Sequence, residues 1–408
     1  MIVLISSGQP TLNPRLVKEA DTLTDAGFEV TVVYQFWNDW GTEYDSLLLP
    51  TKKWKSIRVG GSLKTQKYDY WKTRFIQKIA VFLATAIGFK NGIAERAIGR
   101  CTYKLARKAM TIPAELYIAH NLAALPAAYL AAKKNKAKCG FDAEDFHRNE
   151  VSNNEKNHDV QLKTFIEDKY LPKLDYFTTA SPLISEAYHQ IYQRLNPTTI
   201  LNVFPKQNLE QRNGLTDKIK LFWFSQTIGQ NRGLETVIAA LGLLKDIDIE
   251  LHLLGAHDEK MISLFKALAS KNNFAPDKII FYPPIAPDDI YKFSGQFDIG
   301  LATETNQPKN RDICLTNKIF TYIQSNLAII ASDTTAQTKF LKAFPDMGLV
   351  YEKDNPESLA DVLKTYAENK TLLTGHRKQA RKYADEALNW EIEGQKFLTT
   401  VQQLFKLN

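Results

Sequence analysis

Apolar runs of about five to seven residues alternate along the chain with helical patterns of about 10 to 16, the rhythm of βαβ units and parallel sheets. Ile2 to Ser6 reads as the first strand and enters the polar turn Ser7-Gly8-Gln9-Pro10. A helix is predicted from about Pro14, capped by Asn13 and with proline at a favourable first position. Gly27 ends it, and Glu29 to Tyr34 is the second strand. Leu116 to Ala119, Lys138 to Phe141, Tyr176 to Ala180 and Thr198 to Val203 read as further strands, with helices at Leu122 to Lys133 and Pro182 to Tyr192. The strand at Lys138 runs into an acidic loop, Asp142-Ala143-Glu144-Asp145.

Lys206 to Asp217 lacks apolar periodicity and is read as a linker. The alternation then restarts. Strands are predicted at Ile219 to Phe224, Ile249 to Leu254, Lys278 to Tyr282, Asp298 to Ala302 and Ala328 to Ala331. Between them fall helices at Gly233 to Lys245, Glu259 to Ser270, about Pro287 onward and Leu315 to Ser325, and Pro356 to Leu407 reads as three more. The expectation is α/β, with two Rossmann-like domains at 1–205 and 218–388, a linker at 206–217, and a closing helix at 389–408 that packs back toward the first domain. Parallel doubly wound sheets bind ligands outside the carboxyl ends of their strands, so two facing sheets place the expected site in a cleft between them.

The length of 408 residues agrees with two domains, and 44% apolar with 24% charged residues is an ordinary globular composition. Cys101, Cys139 and Cys314 are widely spaced, which fits a reducing cytosol better than disulfides or a zinc site. The strand-like start at Met1 predicts no secretory signal. The longest apolar stretch, Ile79 to Phe89, has 11 residues between Lys78 and Lys90, short of the roughly 18 that a bilayer span needs.

Charge changes this picture at one place. The net +7 is concentrated between Lys52 and Lys108, where 15 Lys or Arg residues face only Asp69 and Glu95. Trp54, Tyr68, Tyr70, Trp71, Phe75, Phe82 and Phe89 interleave with them. Two readings stay open: peripheral contact of 52–108 with anionic lipid on the inner face of the cell membrane, or surface helices with solvated basic faces. No recognition motif supports nucleic acid.

Two segments carry candidate chemistry. From Phe224 through Gln226, Gly229 and Arg232 to Glu235 a strand ends, a loop turns and a helix begins beside an arginine, an arrangement suited to phosphate. From Leu315 a second helix starts with Thr316, Asn317 and Lys318 in its first turn. A cation there opposes the helix dipole, so an anion at that position is expected. Asp142, Glu144, Asp145, His147 and Arg148 form a charged group that sequence alone leaves open between a site and a solvated loop; nothing in it enforces metal geometry.

In order along the chain, "YIAHNLAALPAAYLAAKK", "CGFDAEDF", the Arg-Gly helix start, "HLLGAHDE", "FDIGLA", "NKIFTYIQSNLAIIASD" and "NWEIEGQKFLTTVQQLF" resemble the retaining GT-B glycosyltransferases of the family-4 type (glycosyl transferases group 1) over nearly the whole length. The resemblance implies transfer of a sugar from a nucleotide-diphosphate donor to a glycan or lipid-linked acceptor hydroxyl, with retention, in surface polysaccharide or glycoconjugate assembly. It implies no cofactor and no metal. Arg232 and Lys318 would neutralise the leaving diphosphate, His120 would contact the donor sugar, and Gln226, Gly229, Thr316, Asn317 and Thr321 would line the nucleotide. Gly8, Asn13, Arg15, Asp142, Glu144 and His147 would face the acceptor.

The pattern is broken twice. The family commonly has a basic residue where Gln226 stands, and a glutamate pair where Ile313, beside Asp312, and Thr321 stand. Asp312 or Glu304 is a candidate replacement. These departures keep a catalytically weakened scaffold protein and a nucleotide-sugar epimerase as alternatives. A nicotinamide dehydrogenase fits less well, because no GxGxxG follows the first strand.

Overall fold

The computed structural model describes residues 1–209 and 218–406, and most of the predicted linker therefore lies outside the described residues. The chain divides into two compact units. Unit 1 holds Met1–Leu201, Pro308–Asn310 and the chain from Gly394; unit 2 holds Asn202–Gln307 and Arg311–Glu393.

Unit 1 is built on seven strands: β1 (Ile2–Ser6), β2 (Val30–Gln35), β3 (Lys55–Val59), β4 (Leu116–His120), β5 (Lys138–Ala143), β6 (Tyr176–Thr179) and β7 (Thr198–Thr199). They pair in parallel in the order β3-β2-β1-β4-β5-β6-β7. Every residue of β1, β2 and β4 is buried, as expected of parallel strands covered on both faces. The helix Pro14–Asp25 starts as expected, with Asn13 Oδ1 accepting from the Leu16 amide at 3.0 Å.

Unit 2 repeats the plan with β8 (Ile219–Thr227), β9 (Ile249–Ala256), β10 (Ile279–Tyr282), β11 (Ile299–Ala302), β12 (Ala328–Ser332) and β13 (Gly348–Tyr351). Its parallel order is β10-β9-β8-β11-β12-β13. Trp223, Leu251, Leu253, Leu301 and Ile330 of this sheet share one core with Leu234, Ile238, Leu241 and the later helical residues Leu359, Leu363 and Tyr366.

Both orders place the third strand, second and first side by side and then the fourth onward, so connections leave in opposite directions on either side of the first strand. Each unit thus has a switch point, β1/β4 in unit 1 and β8/β11 in unit 2, the place where such sheets commonly bind ligands.

Several expectations were displaced. The strand at Thr198 to Val203 shortens to Thr198–Thr199, and the chain from Ile200 leaves the ladder with its carbonyl accepting from Arg15. Asp142 is a buried strand residue, not part of a loop, because β5 runs on to Ala143. The edge strands β3 and β13, and the helices Asp39–Leu48, His158–Tyr170 and Thr335–Ala343, are additional. The tail does form three helices, Pro356–Glu368, Lys370–Glu386 and Trp390–Lys406. Among the described residues no helix is long and apolar enough to cross a membrane.

Candidate functional site

The switch point of unit 2 collects the predicted phosphate residues. After β8 the loop reaches Gly233, whose φ of 79° opens the helix Leu234–Leu243. A Cβ there would stand 2.7 Å from the Thr303 carbonyl oxygen, so only glycine lets the loop lie against the end of β11. Thr303 Oγ1 donates to the Arg232 carbonyl (2.7 Å) and accepts from Trp223 Nε1 (3.2 Å), tying the two loops together. The exposed Arg232 side chain donates from Nη1 to Ser225 Oγ at 2.8 Å.

Two residues beyond β11, Glu304 meets Lys318: Nζ to Oε1 is 2.6 Å, and each side chain is 14% exposed. Thr316 Oγ1 adds a bond to the same carboxylate oxygen at 3.2 Å. Burial on its own would raise the Glu304 pKa, but Lys318 and then Thr316 stabilise the anion and hold it below the ordinary value. The anion expected beside Lys318 is therefore supplied by the chain itself. The Lys318 ammonium also lies 5.6 Å from the centroid of the Trp223 ring.

Arg311 is a third cation here, and the sequence reading missed it. Its Nη1 donates to Thr305 Oγ1 (3.1 Å) and reaches the Asn231 carbonyl (3.5 Å), and its charge adds to the stabilisation of the Glu304 anion. It forms no ion pair with a carboxylate among the described residues. In sequence it is one cation in a polar stretch, with nothing to separate it from a solvated side chain; only the return of the chain after β11 brings it to the Arg232 loop. Three cations stand here against Glu304 and against Glu235, whose Oε1 accepts from the Asn231 amide at 2.9 Å, so the site keeps an excess of positive charge.

The remaining predicted residues of this unit divide. Gln226 is exposed, Gly229 half-buried, and Asn317 Oδ1 accepts from Asn202 Nδ2 at 2.9 Å. Thr321 is only 2% exposed and points its side chain into the packed interior, and Ile313 is buried as well. Asp312 caps the helix Thr335–Ala343, accepting from the Thr335 amide (3.0 Å) and hydroxyl (2.7 Å). Of the two candidate replacements, the structure brings Glu304 to the site and spends Asp312 elsewhere.

In unit 1 the β1/β4 switch point holds a buried ion network. Arg15 grips Asp142 with two bonds, Nε to Oδ2 at 2.6 Å and Nη2 to Oδ1 at 2.7 Å, while Nη1 donates to the Ile200 carbonyl at 2.6 Å. Thr178 Oγ1 donates to Asp142 Oδ1 at 2.6 Å. His120 sits between two acids, with Nε2 3.2 Å from Glu19 Oε2 and Nδ1 3.6 Å from Asp142 Oδ2. All four charged side chains are without solvent exposure. Burial favours neutral His120, but Glu19 and then Asp142 outweigh it and raise its pKa. Burial also opposes ionised Asp142, and Arg15 overcomes it, lowering the pKa. Glu19, one helical turn from Arg15 on the face that also buries Leu16, Ala20 and Leu23, was not singled out in the sequence; a charged residue on that apolar face was the available signal.

Glu19, His120 and Asp142 present ligand atoms within 4.8 Å of one another, close enough for a metal ion. The donor set argues otherwise, since the Arg15 guanidinium already serves Asp142 and lies 3.4 Å from Glu19. A divalent ion there would face a fixed positive charge.

The other predicted acceptor-side residues fall around this network. The Gly8 amide donates to Ser6 Oγ at 3.0 Å, and Asn13 spends its oxygen on the helix cap while Nδ2 is buried with no hydrogen-bond partner among the described residues. Glu144 is half-buried; burial and then the neighbouring Asp142 push its pKa up to about 7. The predicted charged loop splits in two. Asp142 joins Arg15 and His120, whereas His147 lies 3.3 Å from Glu150 and Arg148 binds Glu167 at 2.6 Å.

No family model matches the chain, and no curated protein matches it by sequence. Solved structures match over its whole length. A glycosyltransferase from Rickettsia africae ESF-5 superposes with a TM-score of 0.69 at 13% identity, covering 100% of this chain and 99% of that one. Sucrose-phosphate synthase from Thermosynechococcus elongatus gives 0.68 at 14%, covering 100% and 99%. HepE from Anabaena, in complex with UDP and glucose, gives 0.70 at 13%, covering 99% and 100%. With the two parallel sheets in the same strand order, these matches define the fold as GT-B, two Rossmann-like domains in one chain.

Proposed function

We propose that the protein is a glycosyltransferase that takes a nucleoside diphosphate sugar on unit 2. The observation that carries this reading is the cation group at the β8/β11 switch point: Arg232, Arg311 and Lys318, joined through Thr303, Trp223 and Glu304. Bond-breaking between the sugar's anomeric carbon and the diphosphate oxygen sends an electron pair to the diphosphate. Fixed cations aimed at that developing charge lower the barrier without a metal. The acceptor hydroxyl forms the new bond on the face the diphosphate leaves, which gives retention, and its proton passes to the departing phosphate oxygen. Lys318, clamped by Glu304, is a preorganised charge; Arg311 supplies the positive charge that Gln226 does not.

On this reading unit 1 recognises a glycan or lipid-linked acceptor through the loops after β1 and β5. His120, Arg15 and Asp142 hold those loops from beneath. The place of the reaction is surface polysaccharide or glycoconjugate assembly at the cytoplasmic face of a membrane. The buried Thr321 and the uncharged Gln226 favour a second reading, a nucleotide-free scaffold on the same fold.

A thermal-shift panel of UDP, GDP, ADP, CMP and their sugar conjugates separates the two. A ligand at 100 times its dissociation constant stabilises by about 2.7 kcal/mol. Stabilisation by one nucleoside diphosphate, lost in Arg232→Gln, supports the transferase; no stabilisation by any nucleotide leaves the scaffold.

A further inference from the structure

The helix Lys67–Ile87 carries a face that the fold does not cover. Thr73, Ala80 and Ala84 are its buried residues. On the opposite side Tyr68 (79% exposed), Trp71 (59%), Phe75 (66%), Ile79 (42%) and Phe82 (71%) follow one another at intervals of three and four residues. At 100° per residue these five side chains fall within about 40° of the Phe75 direction, a single stripe along the helix. Lys72 and Lys78 lie about 60° to either side of it, both exposed, and Lys67 and Arg74 lie farther round on the Lys78 flank. The helix's one acid, Asp69, points away toward the buried side and is paired with Lys104. A shallow apolar groove of about 270 Å³, lined by Ile76, Ile79, Leu83 and Ile93, extends the stripe on one edge.

The broad basic segment read from the sequence thus narrows to one helix face. Trp54 is buried with Nε1 donating to Asp21, and Phe89 packs on Phe165 and His158, so neither belongs to it.

We infer that this face docks flat on an anionic lipid bilayer, with the aromatic stripe at the boundary between headgroups and acyl chains and the lysines at the headgroups. Twenty-one residues make a helix of about 32 Å, long enough to lie in the interface, and its charges bar it from crossing. Aromatic rings belong at that depth, and flanking lysines reach the headgroups on their aliphatic stems. The charge pattern selects this occupant. A second copy paired face to face would bring Lys67, Lys72, Arg74 and Lys78 against the same residues, a repulsive isologous contact. A nucleic acid would match the charge but leave Ile79 and the apolar groove of Ile76 and Leu83 without a role. The inference stands on unit 1 alone and does not depend on the transferase reading.

The test uses the full chain and vesicles of phosphatidylcholine, with or without about 30% phosphatidylglycerol, in a flotation assay at low salt. The wild type should float with the anionic vesicles and stay behind with the neutral ones. Phe75→Glu/Phe82→Glu should lose at least tenfold in partitioning, since it removes two largely exposed rings from the lipid and adds two anions. Lys72→Ser/Lys78→Ser should lose about fivefold per residue, from about 1 kcal/mol for each basic side chain at an anionic surface. Bromine-labelled lipid should quench wild-type tryptophan fluorescence, and Trp71→Phe should abolish most of that quenching. Equal flotation of the Glu variant, no flotation of the wild type, or binding to an oligonucleotide as tight as to vesicles would overturn the inference. So would a dimer in lipid-free sedimentation that Phe75→Glu/Phe82→Glu converts to monomer.

Discussion

Replacing Lys318 by methionine should perturb folding through the ion pair it breaks, by an amount that follows from the pair's geometry. The Lys318–Glu304 pair is 2.6 Å long and both side chains are 14% exposed. Removing the ammonium strands a carboxylate that, among the described residues, is otherwise bonded only by Thr316. Breaking one side of a buried pair costs about 3–5 kcal/mol. In a domain the size of unit 2 that is a fall in melting temperature of the order of 10 °C. The cost depends on pH. In the wild type the Glu304 pKa is depressed, so the pair's contribution is present above the ordinary carboxylate pKa and is lost as pH falls through the folded value. Without Lys318, burial dominates and raises that pKa, so the variant weakens as pH rises. The two proteins should differ least at the acid end, near pH 4, and diverge toward pH 8. Glu304→Gln/Lys318→Met should recover most of the loss, because no buried charge is left unpaired. Calorimetry of the wild type, Lys318→Met, Glu304→Gln and the double variant at both pH values checks this. A destabilisation independent of pH, or a double variant no more stable than Lys318→Met, refutes the argument. Only in the Glu304→Gln background does lost nucleotide binding by Lys318→Met report on the diphosphate.

Arg311→Gln should weaken binding of the active nucleoside diphosphate by about tenfold, the scale of one hydrogen bond to a charged group, while leaving the monophosphate less affected; equal losses for both in calorimetric titration would remove Arg311 from the phosphate site. Arg15→Met should destabilise unit 1 by about 3–5 kcal/mol by stranding Asp142, with Asp142→Asn recovering part of it in denaturant unfolding. Glu144, its pKa raised to about 7, leaves the folded state at full advantage below the unfolded carboxylate pKa and erodes it as pH climbs to about 7. Glu144→Gln should flatten that decline by about 1–3 kcal/mol after allowance for partial exposure, and an unchanged pH–stability profile would contradict the shift.

Sequence by itself determined the architecture. Runs such as Ile2–Ser6 and Ala328–Ser332 are apolar without alternation because parallel strands are covered on both faces, and Asn13, Pro14 and Gly27 mark helix ends through local chemistry. Lys318 stands out locally because a cation in the first turn of a helix opposes its dipole, whereas Arg232 at its helix start is a weaker local signal. Tertiary structure decided what those charges meet. Glu304 and Arg311 join the site because β11 lies beside β8, and Arg15 finds Asp142 across 127 positions of chain. Gln226 and Thr321 are uncharged in the sequence itself, but no linear pattern encodes that Thr321 is buried or that Arg311 comes to lie beside the Arg232 loop. The same holds for the helix at Lys67–Ile87. Its periodicity is written in the sequence, yet only the packed fold shows which face is left uncovered, because an amphipathic pattern does not say whether its apolar stripe points inward or out.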